Sequence, residues 1–132
     1  MQFSPLYNFK VNGTLEKLGR VPDGERSKVE FRGSIDSGSK ITGKMHGTHW
    51  FLIGPLGNGQ LESVQEIVTA SGDRFVLQLR GFATVVQEGE MQIKGCGVIR
   101  ASAAPFMHLD GHIAVLEGSV RGDGVEVAVW CW

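Results

Sequence analysis

The chain has 132 residues, of which 42% are hydrophobic and 20% are charged, a composition typical of one folded domain and not of a disordered tail. Thirteen basic and fourteen acidic side chains leave a formal net charge of −1. So small a charge argues against a nucleic-acid or membrane-surface partner, and it favours self-association into a homo-oligomer. We therefore predict a single domain over residues 1–132.

The sequence also lacks a recognisable signal peptide and any apolar stretch of about 18 residues. Cys96 and Cys131 are too few and too far apart to indicate a disulfide framework or a zinc knuckle. These features predict a soluble, cytoplasmic protein whose thiols are reduced.

Nineteen glycines, spread along the whole chain, separate short runs rich in Val, Ile, Phe and Thr. Alternating polarity predicts strands over 6–11, 28–35, 40–46, 49–53, 60–69, 74–86, 91–100, 112–120 and 125–132. Turn residues lie between them at 22–24, 54–55, 57–59, 71–73, 88–89 and 122–124. Helical signals are confined to one turn each at 14–19 and 101–107. The pattern predicts an all-β fold, a single antiparallel up-and-down barrel of about eight to ten strands with little helix.

Short motifs punctuated by glycine follow one another over nearly the whole chain: Pro22-Asp23-Gly24-Glu25-Arg26, Phe31-Arg32-Gly33-Ser34-Ile35, Ile41-Thr42-Gly43-Lys44-Met45, His49-Trp50, Gly57-Asn58-Gly59, Leu61-Glu62-Ser63, Ser71-Gly72-Asp73, Arg80-Gly81 and Gly122-Asp123-Gly124-Val125. In this order they are similar to the DUF3237 (UPF0311) family. The resemblance implies a calycin-like or lipocalin-like barrel that usually self-associates, in a family without a generally established activity.

The chain departs from that family pattern at two places. The family has an acidic residue before the tryptophan, where this chain has His49. The family also reads Leu-Asp-Ala-Arg-Tyr where this chain reads Leu61-Glu62-Ser63-Val64-Gln65, so the acid is kept in kind while the arginine and the tyrosine are replaced. The resemblance therefore implies a modified interior with a small-molecule site of its own.

Charged residues on two neighbouring predicted strands suggest acid–base chemistry. Alternation places Glu62 and Glu66 on one face of strand 60–69, and it places Gln78, Arg80 and Phe82 on one face of the next strand. Pairing across the turn at 71–73 would bring Glu66 opposite or diagonal to Arg80. Inside a barrel, burial raises the pKa of a carboxyl group, which can then act as an acid while Arg80 anchors an anion. Alternatively, this face is exposed to solvent and the ion pair contributes less than about 1 kcal/mol.

The four histidines offer weaker signals. His46 and His49 have the spacing of a metal-binding pair, but on a strand their rings point to opposite faces. His49 alone can act as a base or an acid near neutral pH, or it can simply bond a backbone carbonyl at a strand end. His108 and His112 flank Leu109-Asp110-Gly111, which indicates a turn better than a metal loop. We predict neither a metal nor a cofactor.

Three functions remain open from the sequence. The first is an enzyme that works without a cofactor on a small apolar or mixed-polarity molecule by isomerisation, cyclisation, dehydration or epoxide opening. Its predicted catalytic residues are His49, Glu62, Glu66 and Arg80, and its predicted ligand-binding residues are Tyr7, Trp50, Val64, Gln78 and Phe82. The second is a non-catalytic binder or carrier of a small apolar ligand, and the third is a filled structural barrel.

Overall fold

The computed structural model describes residues 2–101 and 104–132, with only the backbone described at 104. Within them, eight antiparallel strands form a closed barrel in which each strand pairs with its neighbours in sequence and the last pairs with the first. The strands are β1 (Ser4–Val21), β2 (Gly24–Ser34), β3 (Lys44–Ile53), β4 (Asn58–Val68), β5 (Arg74–Gln87), β6 (Glu90–Ala101), β7 (Ile113–Arg121) and β8 (Gly124–Cys131). The predicted all-β up-and-down barrel is confirmed.

Local assignments differ from expectation in three segments. Residues 14–19 continue β1 and do not form a helical turn. Residues 44–53 are one strand, because the chain passes through Gly47 without turning, whereas residues 35–43 form a loop. The second expected turn is a 3₁₀ helix over Ala104–Leu109, and residues 102 and 103 lie outside the described residues. In the described part of the chain, no helix combines the length and apolar character needed to cross a membrane.

The strands are strongly staggered around the barrel. Following paired residues from Lys17 through all eight strands returns to β1 at Tyr7, ten residues earlier. Such a stagger tilts and coils the strands, so β1 must be long enough to pair first with β8 and then with β2. The coiling brings backbones together: a Cβ atom at Gly97 would lie 1.8 Å from the carbonyl oxygen of Gln78.

Odd-numbered residues of β3, β4 and β5 face the barrel interior, and even-numbered residues face outward. The interior positions share burial and, with few exceptions, apolar character: Met45, His49, Phe51, Leu61, Ser63, Gln65, Ile67, Phe75, Leu77, Leu79 and Ala83. The charged side chains of β4 and β5 are at even-numbered positions. Burying each charge would cost several kcal/mol, so the odd-numbered, uncharged positions face the interior.

The two ends of the barrel are built differently. At one end, Ile35 and Ile41 of the loop before β3 are buried, and Phe106 of the 3₁₀ helix packs on Phe75 with ring centroids 5.2 Å apart. At the other end lie the turns that join β1 to β2, β3 to β4, β5 to β6 and β7 to β8. These turns are short, and we call this end of the barrel the mouth.

Candidate functional site

A chain of polar side chains crosses the middle of the barrel. The Tyr7 hydroxyl on β1 donates to Oε1 of Gln65 on β4 at 2.5 Å, and Nε2 of Gln65 donates to Oγ of Ser63 at 3.4 Å. The Ser63 hydroxyl lies 2.8 Å from Nδ1 of His49 on β3. The other ring nitrogen of His49, Nε2, has no partner among the described residues. The four side chains form one buried network.

The two ionisable groups of this network are uncharged at neutral pH. Burial lowers the pKa of His49 from 6.5 to about 3, because its imidazolium form would lie in an apolar interior against the Phe31 ring, 4.5 Å away between centroids. Burial also raises the pKa of Tyr7 well above its ordinary value. Both groups are sealed from solvent, and no carboxylate of a described residue reaches them. The network is suited to fixing the barrel interior and not to exchanging protons with a substrate.

The charged cluster predicted for the interior lies on the outer surface. The side chains of Glu62 and Arg80 are 61% and 85% exposed, and their 3.7 Å ion pair is therefore screened by water. The expectation that this face lines the interior is wrong, because the opposite parity carries the apolar side chains. Of the four predicted catalytic residues, only His49 is inside.

The register between β4 and β5 also differs from the expected one. Arg80 lies opposite Glu62, whereas Glu66 lies opposite Val76 and forms its ion pair with Arg74 at 2.9 Å. Glu66 is therefore neither opposite nor diagonal to Arg80. The even residues do face even residues, because an odd number of residues, 69–73, separates the last pair, Val68 and Arg74, but the expected partnership of Glu66 with Arg80 is wrong.

Several predicted site residues do come together, although outside the barrel. A shallow groove of about 510 Å³ on the outer surface is lined in part by Trp50, Glu62, Val64, Gln78 and Arg80. Phe82 lies on the same face, 73% exposed. Among the predicted ligand-binding residues, Tyr7 alone is in the interior.

The histidines do not assemble a metal site in the described residues. His46 is exposed and His49 buried on opposite faces of β3, as their spacing predicts. His108 and His112 are exposed near Asp110, whose carboxylate accepts a hydrogen bond from the Ala101 amide. Over 2–101 and 104–132, no three His, Cys, Asp or Glu side chains converge in the arrangement a metal ion requires.

A concave, mainly apolar cavity of about 430 Å³ opens at the mouth. It lies between the projecting β1–β2 hairpin and the turns that follow β5 and β7. Its apolar lining consists of Leu15, Ile53, Val85, Met91 and Val120. The volume falls within the range of about 300–1,000 Å³ found for small-molecule sites.

The rim of this cavity has unbalanced positive charge. The Arg20 guanidinium donates to Glu25 at 2.8 Å and holds the pKa of that carboxyl group below its usual range. Lys17 and Arg26 also line the cavity, and neither has a carboxylate of a described residue within 4.0 Å.

Glu90 is the buried carboxylate of the cavity, and it is already satisfied. Arg121 donates to it at 2.9 Å and Gln87 at 2.7 Å. The hydrogen bond from Arg121 is the main cause that lowers the pKa of Glu90. Glu90 is therefore held ionised and does not neutralise Lys17 or Arg26.

The mouth cannot be identified from the sequence, because no local motif marks it. Its residues come from six strands and two turns, and only the stagger of the barrel gathers them. Ser63 and Gln65 were also missed, although a signal existed: they are neutral polar residues at alternate positions between Leu61 and Ile67, which is the pattern of a buried strand face.

Three solved structures from bacteria have the same fold. The chain is similar to a β-barrel-like protein from Acinetobacter baumannii (19% identity, TM-score 0.81), with 98% of this chain and 94% of that one covered. It is similar to a protein with unknown function from Clostridium acetobutylicum (17%, TM-score 0.83, coverage 100% and 99%). It is also similar to a conserved protein of unknown function from Rhodopseudomonas palustris (14%, TM-score 0.77, coverage 99% and 98%). At these sequence identities the likeness shows the barrel fold alone.

No family model matches the chain, and no curated protein matches it in sequence. The resemblance to the DUF3237 family therefore depends on the quoted motifs alone.

Proposed function

We propose that this barrel is a non-catalytic binder of a small, mainly apolar molecule, held in the cavity at the mouth. The observation that carries the proposal is the concave apolar lining made by Leu15, Ile53, Val85, Met91 and Val120. Apolar side chains that meet in a concave, water-exposed surface are stabilised when a ligand removes them from water, at about 25 cal/mol for each Å² covered.

The enzymatic hypothesis has lost the acid–base pair on which it depended. Glu62, Glu66 and Arg80 are on the outer surface, and the imidazole of His49 is sealed inside the barrel. Binding requires no proton transfer, and it requires only the shape and polarity of the mouth. The resemblance to lipocalin-like barrels is consistent with this use.

A titration with octan-1-ol, monitored by amide NMR, tests the proposal. Gly19, Gly89 and Gly122 line the cavity, and their amide resonances are expected to shift on addition of the alcohol. Gly72 and Gly111 lie in turns at the opposite end of the barrel and are expected not to shift.

Chain length gives a second readout of the same site. Each methylene that enters an apolar cavity contributes about 0.8 kcal/mol, so Kd should fall about three- to fourfold from hexanol to heptanol and again to octanol. If the alcohols only adsorbed to scattered positions on the surface, the amides of the mouth would not report a Kd that falls regularly with chain length.

A matched pair of variants locates the ligand. Val85→Trp fills the mouth from its wall, and Val98→Trp makes the same change on the outer surface; the two valines are 38% and 41% exposed. We expect Val85→Trp to abolish alcohol binding and Val98→Trp to leave it unchanged. Binding that survives Val85→Trp, or wild-type shifts that fall only outside the mouth, would refute the proposal.

A further inference from the structure

We infer that the ligand of the mouth is an amphipathic anion, whose apolar tail occupies the cavity and whose compact head group, such as a carboxylate, is held by Lys17 and Arg26. This inference rests on the proposed function and specifies its ligand. It depends on the charges at the rim and on an irregularity in the β1–β2 hairpin.

The charges around the cavity do not cancel. Five charged side chains line it, and two of them, Arg20 and Glu25, neutralise each other. Glu90 lines the cavity as well but is neutralised by Arg121. Lys17 and Arg26 have no carboxylate of a described residue within 4.0 Å, although Lys17 also acts on Glu25 through space. Four positive side chains (these two, Arg20 and Arg121) and two negative ones (Glu25 and Glu90) leave a net charge of +2 beside an apolar surface. A cationic head group would be repelled there, and a neutral one would leave both charges uncompensated.

An irregularity in the pairing of β1 with β2 brings Lys17 and Arg26 to the same side of the sheet. In a regular ladder the two side chains would point to opposite faces. Lys17 is paired with Ser27, and the register then shifts, so that Gly19 is paired with Arg26. Bulges of this kind redirect side chains and are common beside binding sites. Gly19 has a φ of 106°, a conformation that favours glycine, and a Cβ atom would face nothing within 4 Å. The irregularity therefore brings a lysine and an arginine to the same side of the opening, where both line the cavity.

Arg and Lys bind carboxylates by charge-assisted hydrogen bonds, which are shorter and stronger than neutral ones. Three probes with an eight-carbon chain isolate this contribution: octanoate, whose carboxyl carbon is one of the eight, octan-1-ol and octyltrimethylammonium. The alkyl tail of octanoate is thus one methylene shorter than that of the alcohol, which by itself would weaken its binding about three- to fourfold. At an ionic strength of about 20 mM, where screening is weak, we expect octanoate to bind at least about tenfold more tightly than octan-1-ol. We expect octyltrimethylammonium to bind more weakly than the alcohol.

A charge-matched pair of double variants identifies the residues. Lys17→Gln/Arg26→Gln removes the two rim charges, and Lys10→Gln/Arg32→Gln removes one lysine and one arginine from the same two strands at exposed positions outside the cavity. The first variant should bring the Kd of octanoate to within about threefold of that of octan-1-ol. The second should keep the wild-type preference.

The outcomes separate the two proposals. Equal affinity of wild type for octanoate and octan-1-ol at the mouth would overturn the anion inference and leave the proposed function intact. A preference for octanoate that persists in Lys17→Gln/Arg26→Gln, or that is lost equally in Lys10→Gln/Arg32→Gln, would also overturn it. Failure of every probe to bind would refute the proposed function and with it the inference. Because all four substituted side chains are exposed, the variants are expected to fold, and their amide spectra would verify this.

Discussion

Acidification from about pH 7.5 to about pH 5 is expected to lower the free energy of unfolding by about 2 kcal/mol through His49. The imidazole is buried, and its pKa is lowered from 6.5 to about 3 in the folded barrel. In the unfolded chain the imidazole has a pKa near 6.5, so below that pH it binds a proton that the folded state does not bind. Each pH unit below 6.5 therefore removes about 1.4 kcal/mol, until the folded-state pKa is reached.

The direction of this effect follows from the lowered pKa. Stability from the neutral imidazole is complete above about pH 6.5 and is lost as the pH falls toward 3. The carboxyl groups of Glu25 and Glu90, whose pKa values are lowered by Arg20 and Arg121, lose their stabilising ionisation only below their ordinary value of 4.5. The interval from about pH 6.5 to about pH 5 thus isolates His49.

Urea denaturation followed by far-UV circular dichroism at several pH values measures the slope. His49→Asn keeps a polar group near the place of Nδ1, beside Ser63, but cannot titrate, so its unfolding free energy should be nearly constant over this interval. His46→Asn changes an exposed histidine on the other face of β3 and should keep the wild-type slope. A wild-type slope in His49→Asn would refute the reasoning, because the titrating group would then lie elsewhere.

Two further substitutions test the interior and the backbone of the barrel. Tyr7→Phe removes the donor to Gln65 and should lower the free energy of unfolding by about 1–3 kcal/mol in urea titrations. Because the pKa of Tyr7 is raised in the folded state, the wild type should lose stability as the pH rises above about 10. Tyr7→Phe should lose less over the same range, and an unchanged dependence of its unfolding free energy on alkaline pH would contradict this role of Tyr7. Gly97→Ala places a Cβ atom 1.8 Å from the Gln78 carbonyl oxygen and should lower thermal stability severely, by about 3 kcal/mol or more at the wild-type Tm. Gly38→Ala meets nothing within 4 Å and should be neutral, so equal effects of the two glycine substitutions would be evidence against a close approach of β5 and β6.

The fold could be predicted from the sequence because its signals are local. Alternation in 74–86 and turn residues such as Gly122-Asp123-Gly124 each act over a few positions, and together they specify an antiparallel meander. The length of β1 could not be predicted in the same way. Residues 14–20 are all exposed and show no buried face, and they are a strand only because the stagger of the barrel gives them β2 as a partner.

The site was harder to predict because it depends on which face is buried. A shift of one residue exchanges the inner and outer faces of a strand, and both faces of β4 carry apolar residues. The charges of Glu62, Glu66 and Arg80 suggested chemistry, yet the cost of burying them is the reason that they lie outside. The mouth is lined by residues as distant in sequence as Leu15 and Val120, which no local pattern can bring together.

The central claim is that the mouth holds the tail of a small ligand, and intermolecular nuclear Overhauser effects test it most directly. With octanoate bound to methyl-labelled protein, we expect contacts from the alkyl chain to the methyl groups of Ile53, Val85 and Met91, which line the cavity. Contacts confined to the exposed methyl groups of Val98 and Ile113 on the outer surface, or the absence of any contact at the mouth, would contradict the claim.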